Sequence, residues 1–452
     1  MVKLVMAEMK RSIAKARSES SSSLLSMLQE SPGSFVLVYE NRVIVDSRFL
    51  AKEKNRKHGL FLASLIERGF HLRNSIYAFS SNSTGACDAG PPCLVIAKRD
   101  GYEAPGILSP NPYFHDFDFW SSVRSAIRKV AEARPLHERT RRVFWRGHIA
   151  NSFNAQDVDQ SCRDETGNFA RLQAAALSTR RPDLVDAYCW QLGKCLDIRN
   201  DATQVCPGLP SYDATMRRIQ SDPRLVTREG HVPKENFTLH QFVLNLPGST
   251  QGSYSRNANH LWLLGSVVLW WQATFKEWYS PALRDGVTHR DVNYTTLVPI
   301  VESLTGRPND LETLLRGASL IDDTFLCPEC LAFYFQALLD RLAVGFPRTA
   351  GVLDDPLAAE KAFGALDCSH LTLVHFVPST RHLSHFDLGN AHTRRRPPPP
   401  FARPLPPQTQ QQRPQRQRRL STVAAADPFG QPGSCDALVN LARAKQLRHE
   451  RR

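Results

Sequence analysis

The alternation of apolar and polar positions divides the first 345 residues into short buried strands and longer helices. Runs of consecutive apolar residues predict strands, whereas apolar residues spaced three and four apart predict helices. Strand patterns cover 34–49, which reads as two strands around a Glu-Asn turn, and 93–100, 142–145, 242–248 and 266–271. Helical patterns cover 59–72, 120–136, 169–178, a stretch beginning near residue 257, and 326–344. Strands that alternate with helices are typical of a parallel α/β architecture with crossover connections.

Two such sets of elements, one before and one after about residue 140, predict two doubly wound α/β domains. We place the first at 33–139 and the second at 140–345. The polar, Ser-rich residues 1–32 predict a mobile arm, and 346–390 predict a poorly defined extension. Residues 391–452 are rich in Arg, Pro and Gln, which predicts a disordered tail that is partly polyproline II.

The charge of the chain is concentrated in this tail. The whole sequence carries 57 Lys and Arg against 44 Asp and Glu, a net charge of +13. Residues 391–452 contribute +10 of it, with 13 basic and 3 acidic residues, which leaves +3 for the first 390 residues. We therefore expect no nucleic-acid partner for the folded part. The tail segment RPPPPFARPLPP is a candidate ligand for SH3-type domains.

Cysteines and glycosylation sequons favour the lumen of the secretory pathway, in the endoplasmic reticulum or Golgi. There are ten cysteines, and Asn-x-Ser/Thr triplets begin at Asn82, Asn236 and Asn293. No signal peptide or KDEL-type retention signal is visible, so the pattern does not assign the compartment. We expect no transmembrane segment, since the longest apolar run, 261–271, is shorter than the roughly 18 residues that a spanning helix needs.

Two predicted strand ends carry residues with chemistry, and ligands of open α/β sheets bind at the carboxyl ends of strands. Asp100 closes LVIAKRD, where a carboxylate can face a cleft and act as a base. An Asp before Gly101 is equally typical of a tight turn. Arg146, Gly147 and His148 close RVFW. A glycine lets a backbone N–H approach an anion, and an arginine adds charge; the alternative is a tight turn with a solvated arginine.

A third strand end leads into GSTQGSYSRNANHLWLLGS, residues 248–266. Small hydroxyl residues between a strand and a helix resemble a phosphate cradle, although the stretch has neither the GxxxxGK[ST] nor the GxGxxG pattern. A flexible, capped loop explains the same composition. Arg171, on the helix that follows RVFW, is a candidate to join the anion site of the Arg-Gly turn.

Two short motifs are associated with metal or redox chemistry. The segment 115–118, His-Asp-Phe-Asp, contains an Asp-x-Asp, which binds a divalent metal in some sugar-nucleotide enzymes but arises easily by chance. Cys327-Pro-Glu-Cys330 lacks the second CxxC of a zinc site. Because it begins a helical stretch, a redox role and a disulfide role both stay open. We expect no metal site.

Ordered blocks of the chain resemble glycosyltransferase family 90, the Rumi-like protein O-glucosyltransferases and capsule-associated xylosyltransferases. They run from about residue 34 to 345 and comprise SFVLVYENRVIVDSR, CLVIAKRD, FHDFDFW, RVFWRG, FARLQAAALS, SYSR, HLWLLGSVVLWW and KEWYSPAL. LLGSVVLW followed by EWYSPAL is the most specific part. The resemblance implies a GT-B fold, in which two Rossmann-like domains face a cleft and the second domain holds the sugar nucleotide.

The resemblance also implies an inverting transfer of glucose or xylose from a UDP-sugar to a hydroxyl of a protein or glycan acceptor, with no metal or other cofactor. Asp100 falls on the family's catalytic base, which takes the acceptor proton as the C–O bond forms. The departing UDP gains negative charge, which preorganised cations and N–H donors stabilise. The implied donor-binding residues are Gly147, His148, Arg171, Ser253, Tyr254, Ser255 and Arg256, and the implied acceptor-binding residues are Phe119 and Trp120.

Two alternatives to this function stay open. The first is a xylosyltransferase that builds a surface polysaccharide instead of modifying protein. The second is a non-catalytic family member that acts through its basic Pro-rich tail on SH3-type domains or RNA. The presence of Asp100 and Arg171 argues against a loss of chemistry.

Overall fold

The computed structural model belongs to the α/β class, with one mixed sheet of six strands and one parallel sheet of five. It describes residues 1–18, 28, 32–80, 92–99, 106–149, 168–191, 214–228, 230, 232–248, 257–271, 275–364 and 370–374. None of the helices in these ranges is long and apolar enough to cross a membrane. The tail, 391–452, lies outside the described residues. Two parts of the predicted extension, 365–369 and 375–390, lie outside them as well.

The elements are numbered in chain order over these ranges. The strands are β1 (Phe35–Tyr39), β2 (Arg42–Asp46), β3 (Ser75–Ser80), β4 (Cys93–Val95), β5 (Lys98–Arg99), β6 (Ile107–Leu108), β7 (Thr140–Gly147), β8 (Val185–Cys189), β9 (His240–Asn245), β10 (Val267–Trp271), β11 (Phe275–Lys276), β12 (Arg290–Val292) and β13 (Leu371–Leu373). The helices are α1 (Val2–Ser18), α2 (Ser47–Ala51), α3 (Glu53–Glu67), α4 (Phe117–Glu132), α5 (Asn168–Arg180), α6 (Ala214–Ser221), α7 (Ala258–Leu261), α8 (Leu297–Thr305), α9 (Pro308–Ile321), α10 (Pro328–Gly345) and α11 (Pro356–Gly364).

The first sheet is mixed, so the predicted doubly wound first domain is wrong in its strand directions. Its order is β13-β2-β1-β3-β4-β6, and of its neighbouring pairs only β3–β4 and β4–β6 are parallel. The antiparallel part starts at the Glu-Asn turn, where Glu40 and Asn41 have φ of +47° and +56°. A two-residue link of this left-handed type can join only antiparallel strands, and β1 and β2 form that hairpin.

The segment 93–100, predicted as one strand, divides between two sheets. Cys93–Val95 forms β4 of the mixed sheet, whereas Lys98–Arg99 forms β5 and pairs antiparallel with β11. Ile96 and Ala97, between them, are fully buried, so the apolar run is continuous although the strand is not. As a result, the backbone directly before Asp100 lies against the segment that follows β10.

The second sheet confirms the parallel architecture predicted after residue 140. Its order is β12-β10-β9-β7-β8, and every neighbouring pair is parallel. One face of its central strands buries Val143, Trp145, Phe242, Leu244 and Leu269 against residues of α5, α6, α8 and α9. Near-continuous apolar runs such as FVL and VVL are typical of parallel strands that are covered on both faces.

The chain returns to the first sheet after completing the second, which moves the predicted domain boundaries. Helix α10 contacts β3 and α4, and β13 pairs with β2 at the edge of the mixed sheet. The predicted arm 1–32 is a helix over Val2–Ser18, whose Val5, Met9 and Ile13 are buried. Helix α1 packs against α10. The apolar face of α1 therefore becomes part of the core only through its contact with α10.

A buried carboxylate links α4 to the turn before α10. Asp322 begins the π-helical turn Asp322–Leu326, and its side chain is 1% exposed. It accepts hydrogen bonds from Arg124 Nε and Nη2, at 3.1 and 2.9 Å, and from Arg128. We expect Asp322→Asn to lower the free energy of unfolding by about 2–3 kcal/mol, because the amide cannot neutralise two guanidinium groups.

The control for this variant is Asp323→Asn at the neighbouring position. Asp323 also pairs with Arg128, but it is more than half exposed, so its loss should change stability by less than about 1 kcal/mol. Urea denaturation of both variants measures the difference. Equal urea midpoints for the two variants would show that the ion pairs of Asp322 with α4 do not stabilise the fold.

Candidate active site at the edge of the parallel sheet

The parallel sheet changes its winding direction between β7 and β9. From β7 the chain passes through α5 to β8 on one side, and it then crosses back to β9 on the other side of β7. Crevices for ligands form at such a switch point, outside the carboxyl ends of the strands. We therefore expect binding groups at the carboxyl ends of β7 and β9.

Arg171 lies across this switch point. Its Nε donates to the carbonyl of Pro247, after β9, at 2.9 Å, and its Nη1 donates to the carbonyl of His148, after β7, at 2.6 Å. The side chain is 8% exposed, and burial lowers the pKa of its guanidinium to about 10. Among the described residues, none places a carboxylate on it. The first turn of α5 thus brings a positive charge to the sheet edge, and none of the described carboxylates neutralises it.

Gly147 is required here for packing. A Cβ at this position would lie 2.3 Å from the Cζ2 atom of Trp145. The Trp145 ring in turn has the guanidinium of Arg171 above it, 5.5 Å from the ring centroid to Cζ. From the sequence, Gly147 is expected to let an anion approach the backbone closely. In the structure, the indole of Trp145 also occupies the space that a side chain at position 147 would need.

Gly147→Ala is expected to destabilise the protein by about 1–3 kcal/mol, the usual cost of overpacking a full core. The new methyl group must displace Trp145 and, through it, Arg171. Gly306→Ala is the matched control, because the nearest atom to its Cβ would be 3.8 Å away. Thermal unfolding of the two variants tests this expectation; comparable melting temperatures would contradict the packing argument.

Two aromatic side chains stack beside the switch point. His148, after β7, and Trp190, after β8, have ring centroids 5.1 Å apart and an interplanar angle of 23°. Both are partly exposed. The sequence predicted His148 as a donor-binding residue, but it did not single out Trp190. The signal that could have found Trp190 is a tryptophan directly after the mainly apolar segment Val185–Cys189.

Asn245 is a second residue of this edge that the sequence reading missed. It is the last residue of β9, it is 2% exposed, and its Oδ1 accepts no hydrogen bond from the described part of the chain. An amide directly after the apolar run Phe242–Leu244 is the signal that could have found it. A buried acceptor of this kind is satisfied when a ligand or water donates to it.

Arg146 contributes no free charge to the site. Its Nη2 pairs with the Asp186 carboxylate on β8 at 2.7 Å, and its Nη1 donates to the carbonyls of Trp145 and Asp186. The alternative of a solvated arginine is therefore wrong, and the side chain fixes β7 to β8.

The two predicted acceptor residues, Phe119 and Trp120, differ in exposure. Phe119, on α4, is 48% exposed. Trp120 is buried, and its Nε1 donates to the carbonyl of Leu326 at 2.7 Å. Its ring also lies edge-on to His260 of α7, with 5.3 Å between centroids. This contact brings α4 of the first half against the helix that follows the predicted phosphate loop.

The remaining predicted site residues lie outside the described residues: Asp100, Ser253, Tyr254, Ser255 and Arg256. Their neighbours are described. Arg99 pairs with Phe275, shortly after the end of β10, and Asn257 precedes α7. The backbones that lead to Asp100 and away from Arg256 are therefore both anchored near the second sheet.

The Asp-x-Asp motif is used in the structure for other contacts. Asp116 caps α4 by accepting from the Phe119 N–H at 2.9 Å, and Asp118 pairs with Arg68. Within the described ranges, no group of three or more His, Cys, Asp or Glu side chains is arranged to hold a metal ion.

Neither a model of a known protein family nor a curated protein matches the chain.

Proposed function

We propose that the protein is an inverting glycosyltransferase of GT-B architecture that transfers glucose or xylose from a UDP-sugar to a hydroxyl of a protein or glycan acceptor, without a metal ion. The ordered blocks that resemble family 90 support this proposal. The observation that carries it is Arg171, a buried cation that joins the ends of β7 and β9 and has no carboxylate partner among the described residues.

The donor side of the proposal follows from charge. The diphosphate of UDP is an anion, and it becomes more negative as the bond to the sugar breaks. Arg171 belongs to the first turn of the 13-residue helix α5, whose leading N–H groups carry a positive partial charge. The Nη2 of Arg171 makes no hydrogen bond to the described residues, so it can donate to a phosphate oxygen. The stacked His148 and Trp190 offer a flat surface for a ring of the donor.

The acceptor side of the proposal rests on Asp100. A hydroxyl is a poor nucleophile while it keeps its proton, so a carboxylate removes that proton as the new bond forms. In a single inverting displacement, the acceptor oxygen attacks the anomeric carbon from the face opposite to UDP. Phe119, exposed on α4, is the described side chain that we assign to the acceptor groove.

Disulfides support placing this activity in the secretory lumen. Each of the four cysteines in the described ranges is disulfide-bonded: Cys93, Cys189, Cys327 and Cys330. Such bonds persist in oxidising compartments.

The proposal is tested with the purified full chain. Titration calorimetry with UDP should give binding in the presence of EDTA, and UDP release from UDP-glucose or UDP-xylose should exceed the background in the same buffer. The faster donor identifies the sugar, and EGF-like modules compared with mannan-type glycans identify the acceptor class. Absence of UDP binding would overturn the proposal.

A further inference from the structure

The Cys327-Pro-Glu-Cys330 segment lies outside the proposed glycosyl-transfer site and carries its own chemistry. The two cysteines are joined by a disulfide at the start of α10, an 18-residue helix. Cys327 is the N-cap residue of this helix, and both cysteines are partly exposed to solvent. We propose that this pair is a redox-active dithiol/disulfide, with Cys327 as the nucleophile, that exchanges with dithiols and disulfides in solution.

The surroundings of the two sulfur atoms differ in a way that favours this chemistry. The Sγ of Cys327 accepts the backbone N–H of Cys330 at 3.0 Å, and it faces the positive end of the α10 dipole. Both interactions stabilise a thiolate. The Sγ of Cys330 lies 3.3 Å from the carbonyl oxygen of Asp323, which favours a protonated thiol instead. Reduction therefore yields one reactive thiolate and one resolving thiol.

The bond contributes little as a structural cross-link. A disulfide stabilises a protein mainly by restricting the unfolded chain, and the effect grows with the length of the closed loop. Here the two cysteines are three residues apart in sequence. By contrast, the turn before them is held by other contacts, since Trp120 donates to Leu326 and Asp322 pairs with two arginines. The cysteines are therefore expected to stay close together after reduction, ready to form the bond again.

The exchange is balanced in electrons and protons. The Cys327 thiolate attacks one sulfur of a substrate disulfide, a mixed disulfide forms, and the first substrate thiolate leaves. The Cys330 thiol then loses its proton to solvent and displaces the second substrate thiolate, which restores the Cys327–Cys330 bond. Two electrons pass to the substrate disulfide. In the reverse direction, a dithiol reduces the pair and becomes a disulfide.

Cys93 and Cys189 provide an internal control, because both are disulfide-bonded and fully buried. The folded full chain would be incubated with increasing dithiothreitol, quenched in acid, alkylated, and analysed by peptide mass spectrometry. We expect Cys327 and Cys330 to become labelled at least about tenfold faster than Cys93 and Cys189, and oxidised glutathione to close the Cys327–Cys330 bond again. A bond that opens only together with those of Cys93 and Cys189 would overturn the proposal.

Single variants test the assignment of the nucleophile. Cys330→Ser leaves a thiol at Cys327, and Cys327→Ser leaves one at Cys330. At pH 7 the thiol of Cys327 should react with iodoacetamide about tenfold faster than the thiol of Cys330, since its thiolate is stabilised by the helix N-terminus. Equal rates, or a faster Cys330, would show that the helix start does not activate Cys327. The rate comparison on the wild-type chain does not depend on how well either variant folds.

Discussion

Arg171→Lys is expected to reduce UDP release from the sugar nucleotide by about 10²–10³-fold and to weaken UDP binding by about ten- to a hundredfold. Arg171 uses two of its nitrogen atoms on the carbonyls of Pro247 and His148 and has a third for an anion. A lysine keeps the charge, but its single ammonium group cannot bridge the two strand ends and also hold a phosphate. Calorimetry with UDP and a UDP-release assay measure the two effects.

Arg139→Lys is the matched control for this variant. Arg139 is 5% exposed, burial lowers its pKa to about 10, and its Nη1 donates to the carbonyls of Leu264 and Gly265 at 2.7 Å each. It therefore resembles Arg171 in burial and bonding, but it directly precedes β7, at the amino edge of the sheet.

Both lysine variants should lower the melting temperature, since each loses hydrogen bonds to buried carbonyls. Only Arg171→Lys should change UDP binding by the folded protein, because only the carboxyl edge forms the proposed site. Equal losses of binding in the two variants would mean that Arg171 acts on stability alone, and the proposed donor site would then be wrong.

Asp100→Asn is expected to lower the rate of sugar transfer by about 10²–10⁴-fold while UDP binds as it does to the wild type. An amide of the same shape cannot take the acceptor proton. The neighbouring Arg99 pairs with Phe275, close to the end of β10, so the backbone before Asp100 is held near the parallel sheet, whose strand ends Arg171 bridges. Transfer rate and UDP affinity are measured separately, because the proposal predicts a loss in only one of them.

The control for Asp100→Asn is Asp118→Asn in the FHDFDFW segment. Asp118 is 72% exposed at its side chain and pairs with Arg68, so it should affect neither transfer nor binding by more than about twofold. Transfer that persists in the Asp100 variant would remove that residue as the base. A loss of UDP binding in the same variant would instead place it on the donor side.

Much of the second half of the fold could be predicted from the sequence because its signals are local. The runs RVFW, FVLN and VVLWW are mainly apolar, and each lies within a strand of the parallel sheet. The glycine after RVFW and the arginine on the following helix were also recognised, since a strand end followed by a helix start is a known setting for anions.

The first half was predicted less well because its outcome depends on partners distant in the chain. One apolar run, 93–100, supplies strands to two different sheets, and the polar-looking residues 2–18 form a helix whose apolar face is buried. Neither result follows from local spacing: β5 requires β11 as its partner, and α1 requires α10.

The sequence by itself determined three strands of the second sheet, β7, β9 and β10, and the helix α5, because hydrophobic periodicity acts locally. It also singled out Gly147 and Arg171 near the carboxyl edge of this sheet. Only the tertiary structure decided which of two arginines carries the available charge. Arg146 pairs with Asp186 of the neighbouring strand, whereas the hydrogen bonds of Arg171 to the described residues go to backbone carbonyls at two strand ends. Whether a buried charge is neutralised depends on which elements are adjacent in space, and that adjacency is a property of the folded sheet.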